Sequence, residues 1–202
     1  MFNGVYELPV GQGKPFLNSR GLASQILGGW QISGIVTMQQ GSPFTVTSAY
    51  NPAAYTFTGG RPNLKPGIDV NTLTQSSDHN CISVSDPAHP SIACGGRDGF
   101  FDVTAFALQT AGSLGNASRN LLLGPALGNV NITLSKSFPL PLGEATKLQF
   151  RGEFFNAFNS TNLALPAASV FTSGGAASPT VGRITDIVGS MRKIQLALKL
   201  TF

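Results

Sequence analysis

The chain has 202 residues, of which only 11% are charged, against about 25% in ordinary soluble proteins; so little charge does not clothe a soluble surface. Its 24 Gly and 13 Pro, without sustained helical periodicity, exclude a helical bundle and point to many strands joined by long loops. The net charge of +4 comes from scattered Lys and Arg, with no basic run interleaved with aromatics, so no phosphate-binding stripe is visible and nucleic acid is not an expected partner.

Phe2 to Pro9 reads as a short strand, 2–9. Val10 to Gly28 is a connector punctuated by Gly11, Gly13, Pro15 and Gly21, in which Leu22, Ala23, Ile26 and Leu27 are spaced for one amphipathic helical turn. A second strand is expected over 29–47. Trp30, Ile32, Gly34, Val36 and Met38 share one face and Gln31, Ser33, Ile35, Thr37 and Gln39 the other, and the strand bends at Gly41-Ser42-Pro43 before Phe44. Residues 48–126 lack a sustained period and carry many Pro and Gly and both cysteines, so they read as one long loop.

Alternation resumes over 128–138, with Val130, Ile132, Leu134 and Phe138 against Asn131, Thr133, Ser135 and Ser137. Lys136 interrupts the apolar face near its end, where a lysine snorkels to an interface. Pro139-Leu140-Pro141-Leu142-Gly143-Glu144 is a tight turn, and a strand over 147–159 climbs back with Leu148, Phe150, Gly152, Phe154 and Phe158 on one face. A second long loop covers 160–189. The terminal strand, 190–202, sets Ile194, Leu196, Leu198, Leu200 and Phe202 against Lys193, Gln195, Ala197, Lys199 and Thr201.

The fold class expected is all-β: an antiparallel transmembrane β-barrel segment of about five strands, an incomplete barrel with long extracellular loops at 48–126 and 160–189. Ten residues at ~3.3 Å rise and ~45° tilt cover about 23 Å, close to the apolar belt of outer-membrane barrels. Tyr6, Trp30, Phe138, Phe158 and Phe202 gather near strand ends, as interfacial aromatics do. The alternative is a soluble all-β binding or adhesion module, in which the same aromatics fill a sandwich core. Unclosed edges are not tolerated in lipid, so five strands need further strands, or further copies, to close a barrel. Met1-Phe2-Asn3-Gly4-Val5-Tyr6 lacks the basic start and apolar stretch of a signal peptide, which for an envelope protein suggests a fragment.

Gly28-Gly29-Trp30-Gln31-Ile32-Ser33-Gly34-Ile35-Val36 with Gly41-Ser42-Pro43-Phe44-Thr45 resembles the C-terminal barrel region of Oar-like TonB-dependent outer-membrane transporters and receptors of the acidobacterial type. Gly60-Arg61-Pro62-Asn63 and Gly115-Asn116-Ala117-Ser118-Arg119-Asn120 resemble that family's external loop and its approach to the next strand. Glu153-Phe154-Phe155-Asn156-Ala157-Phe158-Asn159 is similar to its penultimate strand, and Gly182-Arg183-Ile184-Thr185 and the Ile194-to-Phe202 ending complete the series in order. The resemblance implies a location in the cell outer membrane and a barrel of about 22 strands around a plug. The partners it implies are outer-membrane lipid, the barrel assembly machinery, the remaining strands and plug, and an unnamed transported ligand. The chain departs from the family in lacking a plug, an energy-coupling box and a signal peptide, so its expected role is structural: barrel closure and surface loops. Leu196, Leu198, Leu200 and Phe202 resemble the terminal signal read by the assembly machinery, and such an edge strand can add to another sheet edge.

Cys81 and Cys94 are expected to form a disulfide, since the outer face of an envelope is oxidising. A zinc set of His79, Cys81, His89 and Cys94 is the rival, but its spacing matches no known zinc pattern, so no metal residues are assigned. Nucleophile-elbow, zinc-helix and phosphate-loop motifs are absent from the sequence, so no catalytic or cofactor-binding residue is assigned and the protein is not expected to be an enzyme. Asp98 and Asp102 flank Gly99-Phe100-Phe101, a context for a turn rather than an acid pair. Lys147, Arg151, Glu153, Lys193, Gln195 and Lys199 are expected to line a lumen, as a path for solute or as a lining against a plug. The Asn-x-Ser/Thr triplets at Asn116, Asn131 and Asn159 look like glycosylation acceptors but are frequent by chance.

Overall fold

Period-two alternation drives a chain into strands whose faces differ, and the largest element here is such a sheet. A computed structural model describes residues 1–19, 21–51, 60–74, 80–82, 91–94, 96–110, 113–140 and 146–202, with backbone only at 80–82 and 91–93. In chain order the elements begin with β1 (Phe2–Glu7), α1 (Leu22–Leu27), β2 (Trp30–Gln39), β3 (Pro43–Phe44) and β4 (Asn63–Leu64). They continue with β5 (Asn80–Ile82), β6 (Ser91–Ala93), β7 (Phe106–Ala107), β8 (Leu122–Leu123) and β9 (Leu127–Pro139). The last four are β10 (Lys147–Phe155), β11 (Asn162–Leu163), β12 (Ile187–Val188) and β13 (Lys193–Thr201). The protein is all-β, with an open antiparallel sheet and almost no helix. Among the described residues no helix is long and apolar enough to cross a membrane, which leaves crossing by strands untouched.

Two compact units divide the chain. The first comprises Met1–Gln39, Leu127–Thr161 and Gly189–Phe202; the second comprises Gln40–Ala126 and Asn162–Val188.

The first unit is a five-stranded sheet in the order β1-β2-β9-β10-β13, every neighbour antiparallel. One row across it reads Tyr6, Ile32, Leu134, Gly152, Leu196, and the next reads Trp30, Lys136, Phe150, Leu198. Directly paired residues point the same way, so these rows place most of the apolar side chains on one face, with Val5, Ile35 and Phe155 on the other. Among the described residues β1 and β13 each pair on one side only, so the sheet is not closed.

The strand expected over 29–47 ends at Gln39 instead. Gly41 packs so tightly on the Gly124 carbonyl that a Cβ would overlap it, and Pro43–Phe44 leaves the sheet to pair with Leu122–Leu123. The strand expected over 147–159 stops at Phe155, because Asn156 (φ 49°) and Asn159 (φ 53°) turn left-handed, a conformation asparagine accepts more readily than most residues.

The second unit gathers the stretches read as loops. Phe44, Val46, Leu73, Phe100, Phe101, Ala105, Phe106, Ala117, Leu122, Val170, Val181 and Ile184 form its buried core. Phe101 is fully buried, with Phe44 at 5.9 Å and Phe106 edge-on at 6.1 Å between ring centroids, a favourable aromatic geometry. Short ladders and loop hydrogen bonds hold these segments: Thr47 N–H donates to Ala168 O, Phe100 N–H to Gly182 O, and Ile184 N–H to Arg97 O. A region without periodicity thus has a core of its own, because its apolar residues are contributed singly by distant segments.

Candidate functional site: the two-faced sheet and its terminal edge

In water, a sheet hides its apolar face. This one does not: Ile194, Leu196, Leu198 and Leu200 are 52–70% exposed, and Phe2, Tyr6 and Met38 on the same face are exposed as well. A sandwich would bury this face against a second sheet. A largely aliphatic face running across all five strands, uncovered except at Lys136, is instead the lipid-facing pattern of a transmembrane barrel wall.

The opposite face is mostly polar, broken by Val5, Ile35, Phe155 and Ala197. Arg151 pairs with Glu153 at 2.7 Å, and Ser135 Oγ lies 3.4 Å from Gln31 Oε1 on the neighbouring strand. Lys147, Arg151, Glu153, Lys193, Gln195 and Lys199 all fall on this face of β10 and β13, in register with Thr201, Ala197, Gln195, Phe155, Glu153 and Gln149. Beside β1, Glu7 and Lys14 pair at 3.0 Å at the edge of a cleft of about 240 Å³, also lined by Gln31, Ser135 and Gln149.

β13 pairs with β10 along its whole length, Leu196, Leu198 and Leu200 lying opposite Gly152, Phe150 and Leu148. Its other edge is unpaired among the described residues, and Phe202 extends beyond the last pair, 94% exposed.

Lys136 departs from the expected snorkelling. Its side chain is 3% exposed, and Nζ donates to the backbone carbonyls of Gln25 and Ile26 at 2.5 and 2.7 Å. The ammonium also stands 4.7 Å from the Phe138 ring centre and 5.5 Å from that of Trp30. The end of α1 therefore covers a charge that alternation alone would aim at lipid. The expected helical turn at Leu22–Leu27 forms, and this contact is what it covers.

Several residues that the sequence marked for other reasons act as backbone partners. Asn156, buried beyond β10, donates through Nδ2 to Ser160 O and Ser190 O and accepts from Ser160 N–H at 2.8 Å, while its own N–H donates to Asn131 Oδ1. One residue thus ties the end of β10 to the lead into β13 through its side chain and to β9 through its backbone N–H. Asn159 Oδ1 accepts from Arg192 N–H, and Asn116 Oδ1 accepts from Leu64 N–H at 2.7 Å, while Asn63 Oδ1 accepts from Asn116 N–H at 3.0 Å. All three triplet asparagines are therefore engaged. Asp102 accepts from Thr104 N–H and Oγ1 to start the turn Val103–Ala105, and Asp98 pairs with Arg183 at 3.4 Å. Cys94 is buried and disulfide-bonded; the side chain of Cys81, and His79 and His89, lie outside the described residues. The Asn63–Asn116 exchange and the Asn156 node were not foreseen from the sequence, since partners 53 and 34 residues apart leave no local signal.

A family model described as "Outer membrane beta barrel domain" matches residues 1–195. No curated protein and no solved structure matches the chain.

Proposed function

Since the chain belongs to the outer membrane beta barrel domain family, and so to the outer membrane, we propose that it forms the C-terminal wall of an Oar-like TonB-dependent transporter or receptor. The observation that carries this reading is the sheet itself: largely aliphatic and exposed on one face, mostly polar on the other, with edges at β1 and β13 that pair on one side only among the described residues. Such edges call for further strands, because lipid offers no partner for a free backbone N–H or C=O. The transporter assignment draws further support from the ordered series of motifs from Gly28 to Phe202.

In this reading the role of the segment is structural and non-enzymatic. The sheet closes a barrel against further strands and a plug, and the second unit is the surface-exposed part, available to a transported or bound ligand. Arg151, Glu153, Gln195 and Lys199 line the interior against the plug. Leu196, Leu198, Leu200 and Phe202 present the terminal strand to the barrel assembly machinery, whose recognition by strand addition needs a free edge of this kind.

The test combines location and closure. Outer membranes are blotted with antibody against the 48–126 region, in boiled and unboiled lanes, for the native protein and for a Phe202 deletion. The expected result is a heat-shifted band far larger than this chain, reduced several-fold by the deletion. A band of this chain's own size in the soluble fraction would overturn the transporter reading. Undiminished accumulation after the deletion would overturn the signal role.

A further inference from the structure

We propose that α1 is an interfacial anchor: a short amphipathic helix, clamped onto the lipid-facing side of the barrel wall by Lys136, whose Leu22, Ile26 and Leu27 rest in membrane lipid. A six-residue helix is far too short to persist alone. It has no side-chain cap at its start, so its order must come from what its last turn touches. That turn leaves carbonyls unpaired within the helix. Lys136 Nζ takes those of Gln25 and Ile26, and Trp30 Nε1 donates to Ile26 O at 3.2 Å. A cation at a helix C-terminus also answers the helix dipole. Behind it the connector is fixed: a Cβ at Gly28 would overlap both Gly11 Cα and the Ser24 carbonyl, and Gly28 N–H donates to Ser24 O at 2.9 Å.

The side of the sheet is set by register. Lys136 pairs directly with Trp30 on β2 and Phe150 on β10, whose rings meet edge-on at 6.0 Å, and Phe138 follows two residues later on the same face. All belong to the face that carries Leu134, Leu196 and Leu198. An ammonium bare to lipid there would be costly. Covered by α1, it is 3% exposed, and what that spot presents outward is helix: Leu22 is 77%, Ile26 63% and Leu27 52% exposed. Those exposed side chains are aliphatic, as are the exposed leucines on the sheet face to which Lys136 belongs, and this shared chemistry is why lipid, rather than a second protein, is the occupant proposed. The lysine that breaks the apolar pattern is then the clamp that holds an apolar substitute in its place.

The test uses the full chain purified from outer membranes and returned to phospholipid vesicles, labelled with a nitroxide at Ile26→Cys, Leu22→Cys, Leu198→Cys or Gln12→Cys, one at a time and without reductant. Each label's collision rates with oxygen, which concentrates in lipid, and with a water-soluble nickel chelate are compared. The expected result is an oxygen-to-nickel ratio at Leu22 and Ile26 that matches Leu198 and exceeds Gln12 several-fold. If Leu198 reads lipid while Leu22 and Ile26 read water, the anchor is overturned and the barrel wall stands. If Leu22 and Ile26 are shielded from both reagents, a protein partner occupies the face and the lipid assignment is overturned. If Leu198 also reads water, the membrane reading fails with it.

Discussion

The two units of this chain solve opposite solvent problems with the same alphabet. In the sheet, the leucines of the last strand point outward and remain uncovered while the charges, Lys136 apart, share the other face; in the second unit, Phe44, Phe101 and Ile184 turn inward as in any soluble core. Burial removes apolar surface from water in the second unit, at roughly 25 cal/mol per Å². In the sheet that term is delivered by lipid, and backbone pairing decides the architecture. Exposure of a leucine therefore carries opposite meanings in the two units.

The sharpest way to break the comparison is to empty the second core. Phe101→Ala should cost that unit about 3–5 kcal/mol, the range for truncating a buried aromatic. The expected readout is rapid proteolysis within 48–126 with the sheet's heat-shifted mobility unchanged; joint loss of both would mean the two units share one stability. On the sheet, Leu196→Arg should cost about 2–4 kcal/mol, as for Arg at a bilayer midplane, whereas Ala197→Arg on the polar face should be nearly neutral. Urea titration of the protein in lipid vesicles measures both, and equal losses would refute the assignment of faces. Within the second unit, a smaller effect than that of Phe101→Ala is expected of the disulfide proposed between Cys94 and Cys81. Cys94→Ser should lower the second unit's stability by at most about 3 kcal/mol, as loop-closure entropy allows for a loop of this length. Thiol titration of the unfolded native protein without reductant should find no free cysteine; two would end the proposal.

How much of this was legible in the sequence differs between the units for a physical reason. Period two is a local signal, and Ile32, Leu134, Phe150 and Leu198 announced their face from within their own strands. What ended those strands was less visible: Asn156 and Asn159 stop β10 through left-handed backbone, which composition does not reveal. The second unit has no period to read. Its core joins Leu73 to Phe101 and Val46 to Val170 through hydrogen bonds such as Asp102 N–H to Leu73 O and Val170 N–H to Thr47 O, so the partners lie dozens of residues apart. Lys136 was misread for the same reason, because its acceptors, Gln25 and Ile26, sit 111 and 110 residues earlier in the chain.

The second unit is discontinuous. Phe44 through Leu122 arrive before β9, but Val170, Val181 and Ile184 arrive only after β10. Synthesis therefore delivers an apolar half that stays uncovered until the β9–β10 hairpin has been made. The order of the sequence is thereby a timetable: the unit cannot complete its interior first and drag unfinished strands behind it.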